Sequence, residues 1–253
     1  PTGCAVLQHK ERELVFRIEP GQASWFRGLP SGVQELDLRP HSFTENQSLH
    51  AWWWPAKRAD APAILYLHGV RWNLTGQLFR IEQLHAMGYS VLAVDYRGFG
   101  QSRGGLPSEA TVYEDAQIAW ARFAQLQPDA NKRLIFGHSL GGAVAVELAT
   151  ALARQAHKDG SPPPARGVVL VAAGAAVGGI GTYIWVLSNH KDTARKGKVQ
   201  LIDASGWFSW CAIDAESWPS NATRVMCCSA AWSNCTGVVV GTIHGRPLTS
   251  NSR

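Results

Sequence analysis

The chemistry of this sequence centres on a serine set between glycines, Gly137-His138-Ser139-Leu140-Gly141. A short apolar run, Leu134-Ile135-Phe136, leads into it, and an alanine-rich stretch over 142–156 follows. That order predicts a strand, a sharp turn and a helix, with the Ser139 hydroxyl projecting outward from the bend. Gly137 and Gly141 lack the Cβ atoms that would collide where the backbone folds close to itself. The helix starting near Leu140 points free N–H groups and its positive dipole end at the same space. A negative oxygen formed when the hydroxyl attacks an acyl carbon would be stabilised there, with the Leu140 N–H as one donor.

Two further motifs belong with Ser139. His68-Gly69 ends the apolar run Ile64-Leu65-Tyr66-Leu67, about seventy residues earlier. Gly69 lets the chain turn over the site, so the Val70 N–H is the expected second oxyanion donor. His68 itself reads as a structural side chain rather than a base. Asp95-Tyr96-Arg97-Gly98-Phe99-Gly100-Gln101-Ser102 follows a second apolar run, Val91-Leu92-Ala93-Val94. Its Gly98-x-Gly100 lacks the third glycine spacing of a dinucleotide loop, and no helix opens there. It reads as a structural turn with Asp95 or Arg97 in an ion pair.

A serine hydroxyl needs a base to take its proton and a carboxylate to orient that base. By order and spacing the candidates are His244 as base and Asp214 as acid. His244 follows an apolar segment, 238–243, and precedes Gly245. Asp203, directly after the apolar segment 198–202, is the rival acid, and His190 the rival base, although it precedes both acids.

Taken together, HG at 68–69, DYRGFGQS at 95–102 and GHSLGG at 137–142 resemble the α/β-hydrolase superfamily, in particular its serine-hydrolase branch. The resemblance covers residues 33–171 and weakens beyond them. It implies an α/β fold: a mostly parallel central sheet with helices on both faces and the serine at its crest. It also implies a triad in the chain order serine, acid, histidine. No metal or organic cofactor is implied. The superfamily cleaves esters, thioesters, amides and lipids, so the expected substrate is a small-molecule or lipid carboxylic ester, with thioesterase, amidase or peptidase, and lipase as alternatives. Outside the enzyme class stands a catalytically inactive hydrolase-fold binding protein.

The elements that must position these residues are partly legible. Residues 11–18 and 33–39 read as short strands or lead-in segments, and strands are expected at 48–54, 64–67, 91–94, 134–136 and 168–171, with 198–202 and 238–243 as further candidates. Helices are expected over 77–87, closed by Gly88, over 112–126 and over 142–156. Strand and helix alternate, which implies parallel strands with reactive groups at their carboxyl ends. The tryptophans at 52–54 and Trp72 read as core or as pocket border. Residues 1–32 read as a lead-in and 33–253 as one hydrolase domain. After about Ala172 the composition changes: four of the five cysteines and five of the eleven tryptophans fall there. That third is either an atypical, incomplete ending or the product of an altered reading frame.

The 253 residues suffice for one large α/β domain. The formal net charge of +5 comes from scattered residues, and no basic cluster with interleaved aromatics supports nucleic-acid binding. No run approaches the ~20 apolar residues of a membrane span. Thr2-Gly3-Cys4 is similar to the end of a bacterial lipoprotein signal, although Pro1 stands where leucine is usual. Two expectations stay open: a lipidated Cys4 with attachment at the cell envelope, or an ordinary cysteine in a cytoplasmic protein.

Overall fold

The computed structural model describes residues 3–19, 21–172, 183–188, 198–203 and 238–242. The elements run α1 (Gly3–Phe16), β1 (Gln34–Leu38), β2 (Leu49–Trp54), β3 (Ala63–Leu67), α2 (Leu74–Ala86), β4 (Ser90–Val94), α3 (Glu109–Leu126), β5 (Arg133–His138), α4 (Leu140–Asp159), β6 (Gly167–Ala172), β7 (Tyr183–Ser188), β8 (Lys198–Asp203) and β9 (Val238–Thr242). They build one sheet in the order β1-β2-β4-β3-β5-β6-β7-β8-β9.

The sheet is mixed. β4, β3, β5 and β6 pair in parallel, and these four central strands carry the site. Antiparallel strands flank them on both sides, β1 and β2 at one edge and β7 to β9 at the other. The parallel arrangement expected from strand–helix alternation therefore holds where crossover helices connect the strands, and gives way to antiparallel pairing outside them.

Helices lie on both faces, as pleat alternation requires. Ile64, Tyr66, Val91, Ala93 and Phe136 point to the face covered by α2 through Leu74, Ile81 and Leu84. Leu65, Leu67, Leu92, Val94 and Ile135 point to the other, covered by α3 and α4 through Val112, Ala116, Phe123, Val144 and Leu148. β3 and β4 are buried along their whole length, which explains why their sequences are continuous apolar runs.

Two sequence expectations are corrected. Residues 11–16 are helical, not a strand: His9 and Lys10 pair with Glu13 at helical spacing, and the segment is rich in good helix formers. β7 was not anticipated. Trp52 and Trp53 are core residues on opposite faces of the sheet, while Trp54 stacks on His85 at 3.9 Å. The lead-in packs on the domain: Phe16 enters the core, and Arg71 exchanges backbone hydrogen bonds with it, donating to Phe16 and accepting from Glu19. Among the described residues, no helix is long and apolar enough to cross a membrane.

Candidate active site

β5 delivers the chain to a bend at Ser139, whose backbone sits at φ 54°, ψ −120°. This conformation is rare for a residue with a side chain and costs on the order of 1–3 kcal/mol. Its surroundings hold it there. The Ser139 N–H donates to the Val171 carbonyl at 2.9 Å, and the Ser139 carbonyl accepts from the Gly142 N–H at 2.9 Å. A Cβ on Gly137 would run into the Gly141 carbonyl, and one on Gly141 into the Leu67 carbonyl at the end of β3. The GxSxG spacing is thus a packing requirement of the bend. Ser139 is partly exposed, and its side chain does not cap α4.

The His68-Gly69 turn lies against this bend, as its sequence led us to expect. A Cβ on Gly69 would approach the Ser139 Cβ to 2.8 Å and the His138 carbonyl to 3.2 Å. Val70, next along the turn after Gly69, and Leu140, the first residue of α4 and the sequence neighbour of Ser139, are both partly buried. The Leu140 N–H is one of the first-turn groups that an α-helix leaves without an internal partner.

Behind the turn lies a buried polar cluster. His68 is fully buried, with its ring against Tyr96 and Phe99 at 4.6 and 5.1 Å between centroids. Its Nδ1 is 2.6 Å from the Gly69 carbonyl oxygen, and its Nε2 is 3.3 Å from Asp95 Oδ1. Asp95 Oδ1 also accepts from the Leu74 N–H at 2.9 Å, at the start of α2. Asp95 Oδ2 lies 3.8 Å from His50 Nδ1, and His50 Nε2 is 2.7 Å from Glu35 on β1. The longer two separations are ion-pair contacts without hydrogen-bond alignment. Burial opposes ionisation of Asp95, yet His50 and His68 outweigh it and hold the carboxyl below its usual range. Burial likewise works against a charge on His50, but Asp95 and Glu35 raise it above the ordinary histidine value.

The remainder of the 95–102 turn is pinned by Arg97. Its Nε donates to Asp115 Oδ1 at 2.6 Å and its backbone N–H to Oδ2 at 2.7 Å, while the guanidinium also pairs with Glu114 and covers the Phe43 ring. Arg97 is therefore in an ion pair, Asp95 faces two histidines, and the stretch is the structural turn anticipated. His138, beside the serine, is buried, and neither ring nitrogen has a hydrogen-bond partner among the described residues. Burial, then the electrostatic influence of Arg80 and His68, pushes it down to about 3, so it stays neutral and is a weak base.

Of the anticipated site, Ser139, Leu140 and the turn carrying Val70 come together. His244, Asp214 and His190 lie outside the described residues, as does most of the compositionally distinct last third. Asp203 is the final residue of β8. Its backbone pairs with Tyr183, which pairs with Ala172, the residue after the partner of His138. Asp203 therefore reaches the same carboxyl edge as Ser139, three strand spacings or roughly 14 Å away. Sequence reasoning missed His50, which nothing in its local sequence marks as a partner of Asp95.

Comparison with known proteins gives the chain its family. The family described as serine aminopeptidase, S33, matches residues 59–200, more than half of the chain. The zebrafish (Danio rerio) lysophosphatidylserine lipase ABHD12 is 36% identical over 118 residues, covering 45% of this chain and 29% of that protein. An uncharacterised protein of Mycobacterium tuberculosis is 36% identical over 149 residues, covering 55% of this chain and 49% of its own length. The chain thus spans at most about half the length of these curated relatives. Among solved structures, an alpha-beta hydrolase from Vibrio vulnificus aligns with a TM-score of 0.49 at 25% identity, over 64% of this chain and 56% of the other.

Proposed function

The chain belongs to the serine aminopeptidase S33 family of α/β hydrolases, and from that premise we propose that it cleaves carboxylic esters through an acyl-enzyme on Ser139. The observation that carries this reading is the strained bend at Ser139 pressed against Gly69. Such strain persists only where the surrounding structure enforces it, and here the close approach of Gly69 and the glycines of the bend enforce it at a serine.

In the proposed reaction Ser139 Oγ attacks the acyl carbon and its proton passes to a histidine. The N–H groups of Val70 and Leu140 take the charge that develops on the carbonyl oxygen, each worth a few kcal/mol in the transition state. The histidine then protonates the leaving alcohol, and water, deprotonated by the same histidine, releases the acid. His244 is the proposed base. Asp203 gains support as the carboxylate that orients it, because its strand ends at the serine's edge of the sheet, and Asp214 is the alternative. His138 is too weak a base for this role, and His68 is engaged by Gly69 and Asp95.

The lysophosphatidylserine lipases among the relatives make single-chain lipid esters the substrate class to try first. A panel of p-nitrophenyl esters of graded chain length and a set of lysophospholipids, each assayed with wild type and Ser139→Ala, tests the reading. Hydrolysis by wild type that disappears in Ser139→Ala is expected. Folded wild-type protein inert on every ester, or equally active without the serine, would overturn it.

A further inference from the structure

We infer that His68, braced by Asp95, is a positioning residue that fixes the orientation of the Gly69–Val70 peptide. This rests on the serine-hydrolase reading, in which the Val70 N–H of that peptide is the second oxyanion donor.

The reasoning begins with one rigid plane. The carbonyl of Gly69 and the N–H of Val70 belong to the same peptide group, and in a trans peptide they point in opposite directions. All peptides described here are trans. His68 Nδ1, 2.6 Å from the Gly69 oxygen, holds one end of the plane and so aims the other end away from itself. Gly69 cannot fix the plane on its own. It must lack a side chain, because Ser139 occupies that space, and glycine turns more freely about its backbone than any other residue. A hydrogen bond from a buried ring supplies the missing restraint.

The ring is held in turn. Tyr96 and Phe99 pack against its faces and edge, and the Tyr96 hydroxyl donates to the His68 carbonyl at 3.2 Å. Protons decide the rest. The Gly69 oxygen only accepts, so Nδ1 must carry a hydrogen. Nε2 then faces Asp95 Oδ1, which as a carboxylate also only accepts. That contact is 3.3 Å long and lacks hydrogen-bond alignment, so Asp95 braces the ring as a fixed polar neighbour rather than through a shared proton. Asp95 is itself held in place: it accepts from the Leu74 N–H of α2 and faces His50 on β2, which Glu35 on β1 engages from the far side. From β5, only neutral His138 adjoins the turn. Asp95 thus fixes the imidazole, the imidazole fixes the carbonyl, and the carbonyl fixes the donor.

Two variants of the full chain separate this role from simple core packing. His68→Phe keeps a ring but has no donor. His68→Asn places an amide nitrogen where Nδ1 stood and can still bond the Gly69 carbonyl. With the best ester from the panel, His68→Phe is expected to lower kcat about 10- to 100-fold, with KM held within about threefold. The rate of Ser139 phosphonylation by a fluorophosphonate should fall in parallel. His68→Asn should recover most of both. A folded His68→Phe with unchanged kcat and labelling rate, or a folded His68→Asn no better than it, would overturn the inference. If His68→Phe does not fold, the ring proton decides: wild type should show an exchange-protected Nδ1–H resonance in ¹⁵N–¹H spectra, lost in His68→Asn, and its absence overturns the inference. Failure of wild type to label at Ser139 would instead remove the serine-hydrolase reading, and the positioning role with it.

Discussion

Ser139 and its neighbour His138 place opposite demands on the same bend. The serine is strained but partly exposed, whereas the histidine beside it is buried and stripped of hydrogen-bond partners among the described residues. That burial has a measurable consequence. Histidine titrates near 6.5 in an unfolded chain, and in the folded protein burial, with the electrostatic influence of Arg80 and His68, brings His138 to about 3. The folded pKa is the lower one, so the contribution is complete above about pH 6.5 and is lost as pH falls towards 3. The slope attributable to this residue approaches ~1.4 kcal/mol per pH unit in that window. Urea denaturation at pH 7.5, 6 and 5 should therefore show wild type losing stability faster than His138→Gln. Identical pH dependence in the two proteins would mean that His138 is not held neutral by the fold.

The elements that carry the site are those whose local sequence agrees with their tertiary role. β3, β4 and β5 read as buried strands because both faces are covered, and the glycines at 137 and 141 mark a bend that packing makes obligatory. Two substitutions distinguish a glycine needed for folding from one needed for chemistry. Gly141→Ala drives a methyl into the Leu67 carbonyl and should destabilise the protein by about 1–3 kcal/mol or more in chemical denaturation. Gly69→Ala meets the Ser139 side chain, so it should slow fluorophosphonate labelling at least about tenfold while leaving the far-ultraviolet circular dichroism unchanged. The 95–102 turn offers a third test. Asp115 is fully buried and takes hydrogen bonds from the Arg97 backbone and guanidinium, so Asp115→Ala leaves the guanidinium only Glu114 and the Thr111 carbonyl and should cost on the order of 3 kcal/mol. A loss below about 1 kcal/mol would indicate that the pair is solvated in solution. The ring of contacts around Asp95 was less legible than these strands. Its members come from β1, β2, the turn after β3 and the start of α2, and only the sheet order β1-β2-β4-β3 brings them together. Helix α1 was misread for a related reason: Leu14, Val15, Phe16 and Ile18 look strand-like in isolation, whereas the charged pairs that favour helix lie one turn earlier.

Across the whole molecule, the two apolar clusters on either side of the central strands and the lead-in segment form one packed unit. The sequence divides at residue 32 into a lead-in and a domain, but Phe16 packs in the core, and residues 16 and 19 hold Arg71, two residues beyond Gly69. Asn73 also donates to the Gly21 carbonyl, and the Ala23 N–H donates to Thr75. Deleting residues 1–32 should therefore lower the thermal midpoint and slow reaction at Ser139, where a freely separable leader would leave both unchanged. The most direct measurement of the central proposal is peptide mapping by mass spectrometry after treatment with a fluorophosphonate. The prediction is a single adduct on Ser139 in folded wild type, absent after heat denaturation and in Ser139→Ala. Folded protein that carries no adduct, or carries it on another residue while Ser139 stays unmodified, would contradict the claim that this bend presents an activated nucleophile.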